Sequence, residues 1–272
     1  MKLSDIAFHA SALARFVPSL FKAGLISPQG GVRALAATLP VLARYRFTTA
    51  REVEQAYLTC PERLALIDDD GALTYRHLRE QSQTFARWLL SLGLDDIRLG
   101  VMARNGRGII TPLAAKGYAG AHIFLLNVGS SPEQLAGCID ENRINVLVID
   151  DEFIDRLSPV DGELPEDLTV VIGHESGAER PAALATVPSL REIVADPGSV
   201  EKHKLPTWPD HGYIVLMSSG TTGIPKGIMR PEPTLPVVLA SIVDSVPWRA
   251  GQKVQMTLSL IHISEPTRLR RI

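Results

Sequence analysis

Residues 213–227 read YIVLMSSGTTGIPKG, and this stretch decides the fold prediction. Its first five residues, 213–217, form a compact apolar run of the kind found in buried strands. Residues 218–223 are all hydroxyl residues or glycine, so this part of the backbone carries no bulky side chain. Such a segment can approach phosphate oxygens closely and offer N–H and O–H donors to them. Lys226 adds a positive charge suited to a terminal or bridging phosphate.

The residues around Lys226 exclude a Walker A loop. That motif has glycine immediately before the lysine and serine or threonine immediately after it, whereas Pro225 and Gly227 occupy those places here. The G-x-G-x-x-G pattern of a kinase-type loop is also absent from this stretch. The prediction is therefore a different kind of phosphate-binding loop, with a flexible surface loop and an unpaired lysine as the alternative.

Upstream of this stretch, short apolar runs alternate with helical patterns from about residue 51 onward. Strands are predicted at residues 64–67, 98–103, 121–126, 146–149, 169–172 and 213–217. Helices are predicted at residues 75–92, 107–118, 132–141 and 189–194. Thr74 is expected to cap the first of these helices, Gly93 to end it, and Pro132 to occupy the first turn of the third. Alternating strands and helices favour parallel strands with helices on both faces, which predicts an α/β fold.

Residues 1–50 are predicted to form an amphipathic helical extension. Apolar residues recur close to helical spacing at Ile6, Leu13, Val17, Leu20 and Phe21. Within residues 1–46 the charges are six lysines and arginines against the single acid Asp5. A basic amphipathic helix can lie in a membrane interface, which predicts peripheral membrane contact. The alternative is a pair of helices, separated at residues 28–31, that packs on the main domain.

The composition fits a soluble globular protein. Of the 272 residues, 45% are hydrophobic, and the net charge of −2 gives no electrostatic reason to expect a nucleic acid partner. No apolar run approaches the roughly 18 residues of a membrane-spanning helix, and no continuous apolar core of a signal peptide is present. We therefore expect a cytoplasmic location. Cys60 and Cys138 lie outside any metal-binding spacing and are predicted to be reduced and partly buried.

Two further groups of polar residues are candidates for a metal site or a catalytic site. Asp68, Asp69 and Asp70 precede Gly71, a pattern that predicts a solvated turn more often than a metal site. His174 and His211 have no nucleophile at the spacing of a catalytic triad, so a hydrolase has little support. No metal site is predicted.

The stretch 213–227 resembles the phosphate-binding signature of the adenylate-forming superfamily. That superfamily includes acyl–CoA synthetases, firefly luciferase and the adenylation domains of nonribosomal peptide synthetases. The resemblance extends over most of residues 51–256, through ALID at 65–68, LTY at 73–75, GVMARN at 100–105, KGYAGA at 116–121 and LN at 126–127. The long amino-terminal extension is most similar to bacterial fatty-acyl–CoA synthetases. Residues 51–257 are thus identified as a partial AMP-binding domain.

The resemblance implies a two-step reaction. A carboxylate attacks the α-phosphate of ATP to give an acyl-adenylate and pyrophosphate, and the thiol of coenzyme A then displaces AMP. The implied substrates are a fatty acid, ATP and coenzyme A, with Mg²⁺ as the metal. The family pattern assigns the β- and γ-phosphates to Thr221, Thr222 and Lys226, and the shape of the loop to Ser218, Ser219, Gly220 and Gly223. Two alternatives stay open: a ligase that activates an aryl or amino acid or passes its adenylate to a carrier protein, and a non-catalytic nucleotide-binding fragment.

The remaining motifs of the superfamily lie downstream of this loop. They are a Y-x-T-E segment that supplies a magnesium ligand, a T-G-D segment that grips ribose, and a catalytic lysine in a mobile carboxy-terminal domain. None of them occurs before Ile272, so no catalytic residue is assigned and the 272-residue chain is expected to be inactive. Residues 258–268, LSLIHISEPTR, match an in-frame translation of a transposase sequencing adapter. We therefore expect residues 258–272 not to be native, and His262 is given no role.

Overall fold

The computed structural model describes Pro18 and residues 30–157, 167–178, 181, 184–217, 225, 227–231 and 251–256. The α-helices are α1 (Gly31–Tyr45), α2 (Thr49–Thr59), α3 (Tyr75–Ser91), α4 (Arg107–Ala119), α5 (Pro132–Glu141) and α6 (Leu190–Ala195). The strands are β1 (Leu64–Asp68), β2 (Gly71–Thr74), β3 (Arg98–Met102), β4 (His122–Leu125), β5 (Val146–Ile149), β6 (Thr169–Ile172), β7 (Tyr213–Met217) and β8 (Gly227–Pro231). Short 3₁₀ helices span Asp151–Leu157 and Pro197–Val200.

The central sheet has six strands in the order β6-β5-β3-β4-β7-β8. The first five are mutually parallel, which confirms the α/β prediction, and β8 pairs antiparallel with β7. The predicted strands at residues 146–149, 169–172 and 213–217 agree with the structure to the residue. The sequence predicts neither β2 nor β8, because the glycines and the proline within these two segments are depleted in strands.

Helices cover both faces of the sheet, as the alternation predicts. One face packs against α2, α3 and α4, and the other packs against α5 and the 3₁₀ helix Asp151–Leu157. Successive strand residues point to opposite faces, so Val101 and Leu125 belong to the first core and Met102 and Phe124 to the second. All four side chains are buried, and the carboxyl ends of the strands are thereby fixed against two rigid layers.

The helix ends follow the expected signals. The Thr74 hydroxyl accepts a hydrogen bond from the amide of His77 at the start of α3, and Gly93, with φ 68°, follows its end. Helix α5 begins with Pro132 after a reciprocal cap in which Ser131 and Gln134 each accept from the other's amide. These local bonds satisfy amide groups that a helix end would otherwise leave without partners.

The described part of the amino-terminal extension packs on the main domain. In α1, Ala34 and Tyr45 are buried, and the Tyr45 ring meets the Tyr118 ring edge-on at 5.3 Å between centroids. The opposite side of α1 exposes Val32 and Leu39. The predicted apolar stripe upstream, Ile6, Leu13, Val17, Leu20 and Phe21, lies outside the described residues. Within the described ranges, no helix combines the length and the apolar character needed to cross a bilayer.

Candidate functional site

Strands β7 and β8 form a hairpin whose connection is the predicted phosphate-binding loop. Met217 is paired with Gly227, so the backbone is hydrogen-bonded into a sheet on both sides of residues 218–226. The predicted contact residues Ser218, Ser219, Gly220, Thr221, Thr222, Gly223 and Lys226 lie outside the described residues. Pro225 and Gly227, which flank Lys226 in the sequence, are described. The described part of the site is therefore the end of the β7–β8 hairpin, with Met217, Pro225 and Gly227, which we call the loop stem.

The stem opens at the carboxyl edge of the parallel strands. From β3 the chain crosses to β4 on one side, and from β4 it returns to β5 on the other side of β3. The helices after β3 and β4 accordingly lie on opposite faces of the sheet. In open α/β sheets, ligands bind outside the carboxyl ends of the strands where the connections diverge in this way. This divergence lies between β3 and β5, and β7 lies on the far side of β4, so the loop leaves the same carboxyl edge at a distance from the point of divergence.

Helix α5 supports the base of the loop. The thiol of Cys138 lies 4.0 Å from the carbonyl oxygen of buried Pro225, within range of a weak S–H hydrogen bond. Burial raises the pKa of Cys138 to about 11, so the sulfur keeps its proton and can donate. Cys138 is thus a buried free thiol, as predicted, and it also contacts the loop stem.

Gly227 fits the stem because it has no side chain. A Cβ at this position would stand 2.5 Å from Cγ1 of Val215 on the neighbouring strand, and 3.6 Å from Oδ1 of Asn142. Val215 is almost fully buried and β-branched, so it has little freedom to move aside. The close approach of β8 to β7 therefore depends on glycine.

Gly227→Ala is expected to lower the free energy of unfolding by about 1–3 kcal/mol, the usual cost of overpacking a filled site. Urea unfolding measures the effect. Gly198→Ala is the matched control, because its Cβ would meet only Asp196 Oδ1, at 3.5 Å. Equal stability of the two variants would contradict the packing argument.

Asp68 joins the β1–β2 hairpin to the start of α4. Its carboxylate accepts hydrogen bonds from the Arg107 amide at 2.9 Å and from the Arg107 guanidinium at 2.5 and 2.9 Å. Burial alone would raise the pKa of Asp68, but the bonds from Arg107 outweigh it and hold that pKa below its usual value. The predicted turn at residues 68–71 is present, but the prediction that it is solvated is wrong for Asp68, whose side chain is 10% exposed.

Asp70 ties the same turn to the loop after β6. Its carboxylate lies 3.0 Å from Nδ1 of His174 and accepts a hydrogen bond from the Arg191 guanidinium at 2.5 Å. Only Asp69 of the three acids is exposed. The acids are drawn inward because Arg107 of α4, Arg191 of α6 and His174 of the loop after β6 contact them, a long-range arrangement that the local sequence does not reveal.

Asp150 and Asp151 directly follow β5 at the carboxyl edge of the sheet, and neither was predicted as a site residue. Asp151 accepts bonds from the amides of Ser176, Gly177 and Ala178 at 2.9–3.2 Å, and so it fixes the loop after β6. Asp150 accepts from the amide of Arg104 at 2.7 Å, which fixes the loop after β3. The available signal was their position, directly after a buried strand.

Of Asp150 and Asp151, only Asp150 has a buried carboxylate oxygen without a hydrogen-bond partner among the described residues. This atom, Oδ1, packs against Gly108 and Gly173. Burial raises the pKa of Asp150 to about 6, so the folded state binds a proton more tightly than the unfolded state, whose pKa is near 3.8.

Asp150 should therefore make the protein more stable as the pH falls from about 7 to about 5. Between about pH 6 and pH 4 only the folded state carries this proton, so the free energy of unfolding rises as the pH falls. The rise approaches about 1.4 kcal/mol per pH unit below pH 6. Urea unfolding at several pH values measures the effect. The Asp150→Asn protein should lack the part of this increase in stability that wild type gains between pH 7 and pH 5. A parallel pH dependence of the two proteins would contradict the assignment.

The other predicted polar candidates have structural contacts. His211 Nε2 donates to the Arg44 carbonyl oxygen, and the His211 carbonyl oxygen accepts from buried Lys116. Among the described residues, no group of three or more His, Cys, Asp or Glu side chains is arranged to hold a metal ion. The acids at the carboxyl edge do not fit a Mg²⁺ site, because Asp68, Asp70 and Asp151 are already engaged by arginines, a histidine or backbone amides.

Comparison with known proteins agrees with this architecture. The family model described as "AMP-binding enzyme" matches residues 53–267. The match runs past residue 257, and the origin of residues 258–272 stays a prediction. The fold is also similar to the crystal structure of an anthranilate CoA ligase in complex with anthranoyl-AMP. The TM-score is 0.58 at 20% identity, over 69% of this chain and 35% of that one.

Two curated relatives have related sequences. The mitochondrial malonate–CoA ligase of Mus musculus is 26% identical over 74% of this chain and 33% of its own length. A medium/long-chain-fatty-acid–CoA/3-oxocholest-4-en-26-oate–CoA ligase of Mycolicibacterium smegmatis is 29% identical over 65% of this chain and 32% of its own length. The chain thus spans about a third of the length of these relatives.

Proposed function

This chain belongs to the AMP-binding enzyme family, and on that basis we propose that its protein activates a carboxylic acid with ATP. The products of the first step are an acyl-adenylate and pyrophosphate, and coenzyme A accepts the acyl group in the second. The observation that supports this most directly is the β7–β8 stem, which opens the small-residue loop at the carboxyl edge of the parallel strands. That is where an α/β sheet receives a nucleotide.

The first step brings an anionic nucleophile toward a polyanion, and the loop is suited to reduce that repulsion. In this proposal the positive charge of Lys226 and the hydroxyls of Thr221 and Thr222 contact the β- and γ-phosphates, so the departing pyrophosphate is stabilised as its charge develops. Mg²⁺, when bound, neutralises further phosphate charge. The small residues shape the loop around the phosphates; they are Ser218, Ser219, Gly220 and Gly223.

A firm stem makes such a loop effective. Donors held in place before the substrate arrives need little reorganisation in the transition state, which is why preorganised donors contribute strongly to catalysis. The Met217–Gly227 pair and the contact of Cys138 with Pro225 hold the two ends of the loop. Asp150 and Asp151 fix two other loops at the same carboxyl edge, those after β3 and β6.

We propose a fatty acid as the acid substrate. The long amino-terminal extension and the similarity to the M. smegmatis ligase support a medium or long acyl chain. Malonate is the second candidate, because the mouse malonate–CoA ligase matches a larger share of this chain. A dicarboxylate of three carbons and a long acyl chain need different pockets, so the two substrates exclude each other in practice.

ATP–pyrophosphate exchange with a panel of acids tests the proposal. Exchange is measured with malonate, octanoate, palmitate, benzoate and a mixture of amino acids, using the 272-residue chain and the protein extended by the gene sequence that follows codon 257. We expect palmitate or octanoate to support exchange in the extended protein. Exchange with malonate alone would replace the fatty acid, and exchange with no acid would overturn the proposed activity. Acyl transfer to coenzyme A, compared with an acyl carrier protein, identifies the acceptor.

We further propose that the protein is cytoplasmic and contacts membranes peripherally through residues 1–46. On α1, Val32, Leu35 and Leu39 are 84%, 41% and 74% exposed, and their spacing puts them on one side of the helix. Exposed apolar residues beside the basic Arg33 suit the interface of an anionic bilayer.

Sedimentation with vesicles of phosphatidylcholine and phosphatidylserine tests this contact. Binding should weaken with added salt and in Val32→Ser/Leu39→Ser. Val254→Ser, which changes an apolar residue that is 59% exposed elsewhere, is the control. Vesicle binding that survives deletion of residues 1–46 would reject the proposal.

A further inference from the structure

A pocket of about 570 Å³ lies on the outer side of the helical layer, away from the loop stem. Its walls are the last turn of α1, the middle of α3 and residues 201–205, and Glu54 of α2 contributes to its lining. We call it the α1–α3 pocket. It shares no lining residue with the strand ends or with the stem of the phosphate loop. Its volume falls within the range of small-molecule sites.

Cations dominate the lining of the α1–α3 pocket. The four cationic residues are Arg44, Arg79, Arg87 and Lys204, and the two acidic residues are Glu54 and Glu201. Glu54 accepts hydrogen bonds from Arg79 and Gln83, each at 2.9 Å, so Arg79 and Glu54 neutralise one another. The remaining three cations exceed the remaining acid Glu201 by two charges.

These three remaining cations are available to a ligand. The side chains of Arg87 and Lys204 have no hydrogen bond or ion pair with any residue that the structure describes. Arg44 donates one guanidinium N–H to the Pro206 carbonyl oxygen, and its guanidinium lies 4.9 Å from the Tyr45 ring centroid. The Nε of Arg44 is buried and has no acceptor among the described residues. A buried donor without an acceptor is costly, and a bound anion would satisfy it.

The arrangement on α3 extends the positive surface. Arg79, Gln83 and Arg87 recur at intervals of four residues, so they line one side of the helix. Gln83 and Arg87 also line an adjoining pocket of about 350 Å³ that reaches Val194 and Pro197. Arg87 therefore lines both pockets, and an anion at its guanidinium would lie next to the free volume of each.

We propose that the α1–α3 pocket binds a phosphomonoester. At pH 7 this group carries a charge of about −1.5 to −2, which matches the excess of two positive charges. Its three terminal oxygens suit the planar forks of Arg44 and Arg87, with Lys204 as a point charge. Apolar groups of Val41, Tyr45 and Leu205 line the same pocket and suit the non-phosphate part of the ligand. The phosphomonoester comes from a soluble metabolite or from a lipid headgroup.

Binding measurements in a Lys226→Ala background test the proposal, so that the loop after β7 does not contribute. Isothermal titration uses glycerol 3-phosphate and inorganic phosphate, and sedimentation compares phosphatidylcholine vesicles that carry equal negative charge from phosphatidic acid or from phosphatidylserine. We expect saturable binding of a soluble phosphate, or tighter binding to the phosphatidic acid vesicles than to the phosphatidylserine vesicles, weakened by added salt. Binding in solution identifies a soluble ligand, and a preference for phosphatidic acid vesicles without binding in solution identifies a lipid headgroup.

Matched variants show whether the pocket carries the binding. Arg87→Gln and Lys204→Gln should each weaken it about ten-fold or more, as expected for the loss of one charge-assisted contact. Lys202→Gln, which removes an exposed lysine from the same segment but not from the pocket, should leave it unchanged. Thermal unfolding verifies that each variant is folded. Undiminished binding in the double variant Arg87→Gln/Lys204→Gln, or no binding of any probe, would overturn the proposal.

Discussion

Lys226→Ala is expected to lower ATP–pyrophosphate exchange by about 10²- to 10³-fold in the extended protein. In the proposed function its ammonium group offsets phosphate charge that grows as pyrophosphate departs, and no other cation occurs within residues 218–227. The loss should lower kcat and kcat/KM for ATP together, because the contact is strongest in the transition state. Exchange is measured with the acid that gives the highest wild-type rate.

The control for this variant is Lys202→Ala, which removes an exposed lysine far from the loop in sequence. It should retain wild-type exchange. Lys226→Arg should recover part of the activity, because charge is kept while the planar guanidinium fits a single phosphate oxygen differently. A Lys226→Ala protein with undiminished exchange would refute the assignment of the loop to phosphate.

Asp68→Ala is expected to lower the free energy of unfolding by about 3 kcal/mol. The substitution leaves the Arg107 guanidinium, whose side chain is 19% exposed, without its main partner. It also removes the acceptor for the first amide of α4, which Gly106, having no side chain, cannot replace. Urea unfolding at pH 7 measures the difference.

Asp69→Ala is the matched control, since Asp69 belongs to the same turn but is exposed. Its effect should stay within about 0.5 kcal/mol. The pKa of folded Asp68 lies below that of the unfolded chain, so its contribution is fully present above about pH 4 and is lost as the pH falls through the lower value. Equal stabilities of the Asp68→Ala and Asp69→Ala proteins would show that the pair with Arg107 is not stabilising.

The parallel sheet could be predicted because its signals are local. Runs such as residues 146–149 are wholly apolar and rich in β-branched residues, and the predicted cap Thr74 stands directly before its helix. Strand β8 could not be predicted in this way. Gly227–Pro231 has no strand pattern of its own, and it is a strand because β7 supplies its hydrogen-bond partners.

The sequence predicts the phosphate-binding loop because its residues are adjacent in the chain, and that contact stays a prediction. The residues that support the edge of the sheet could not be predicted in the same way. The partners of Asp68, Asp70 and Asp151 lie 25 to 121 residues away in sequence, so only the folded chain brings them together. For the same reason Cys138 reads in the sequence only as a reduced thiol, whereas the structure places it against Pro225.

The pairing of Met217 with Gly227 closes the chain between them into a loop whose two ends lie side by side. We therefore expect substitutions between these two residues to change the affinity for a ligand more than they change the melting temperature, because the strands that close the loop are left intact.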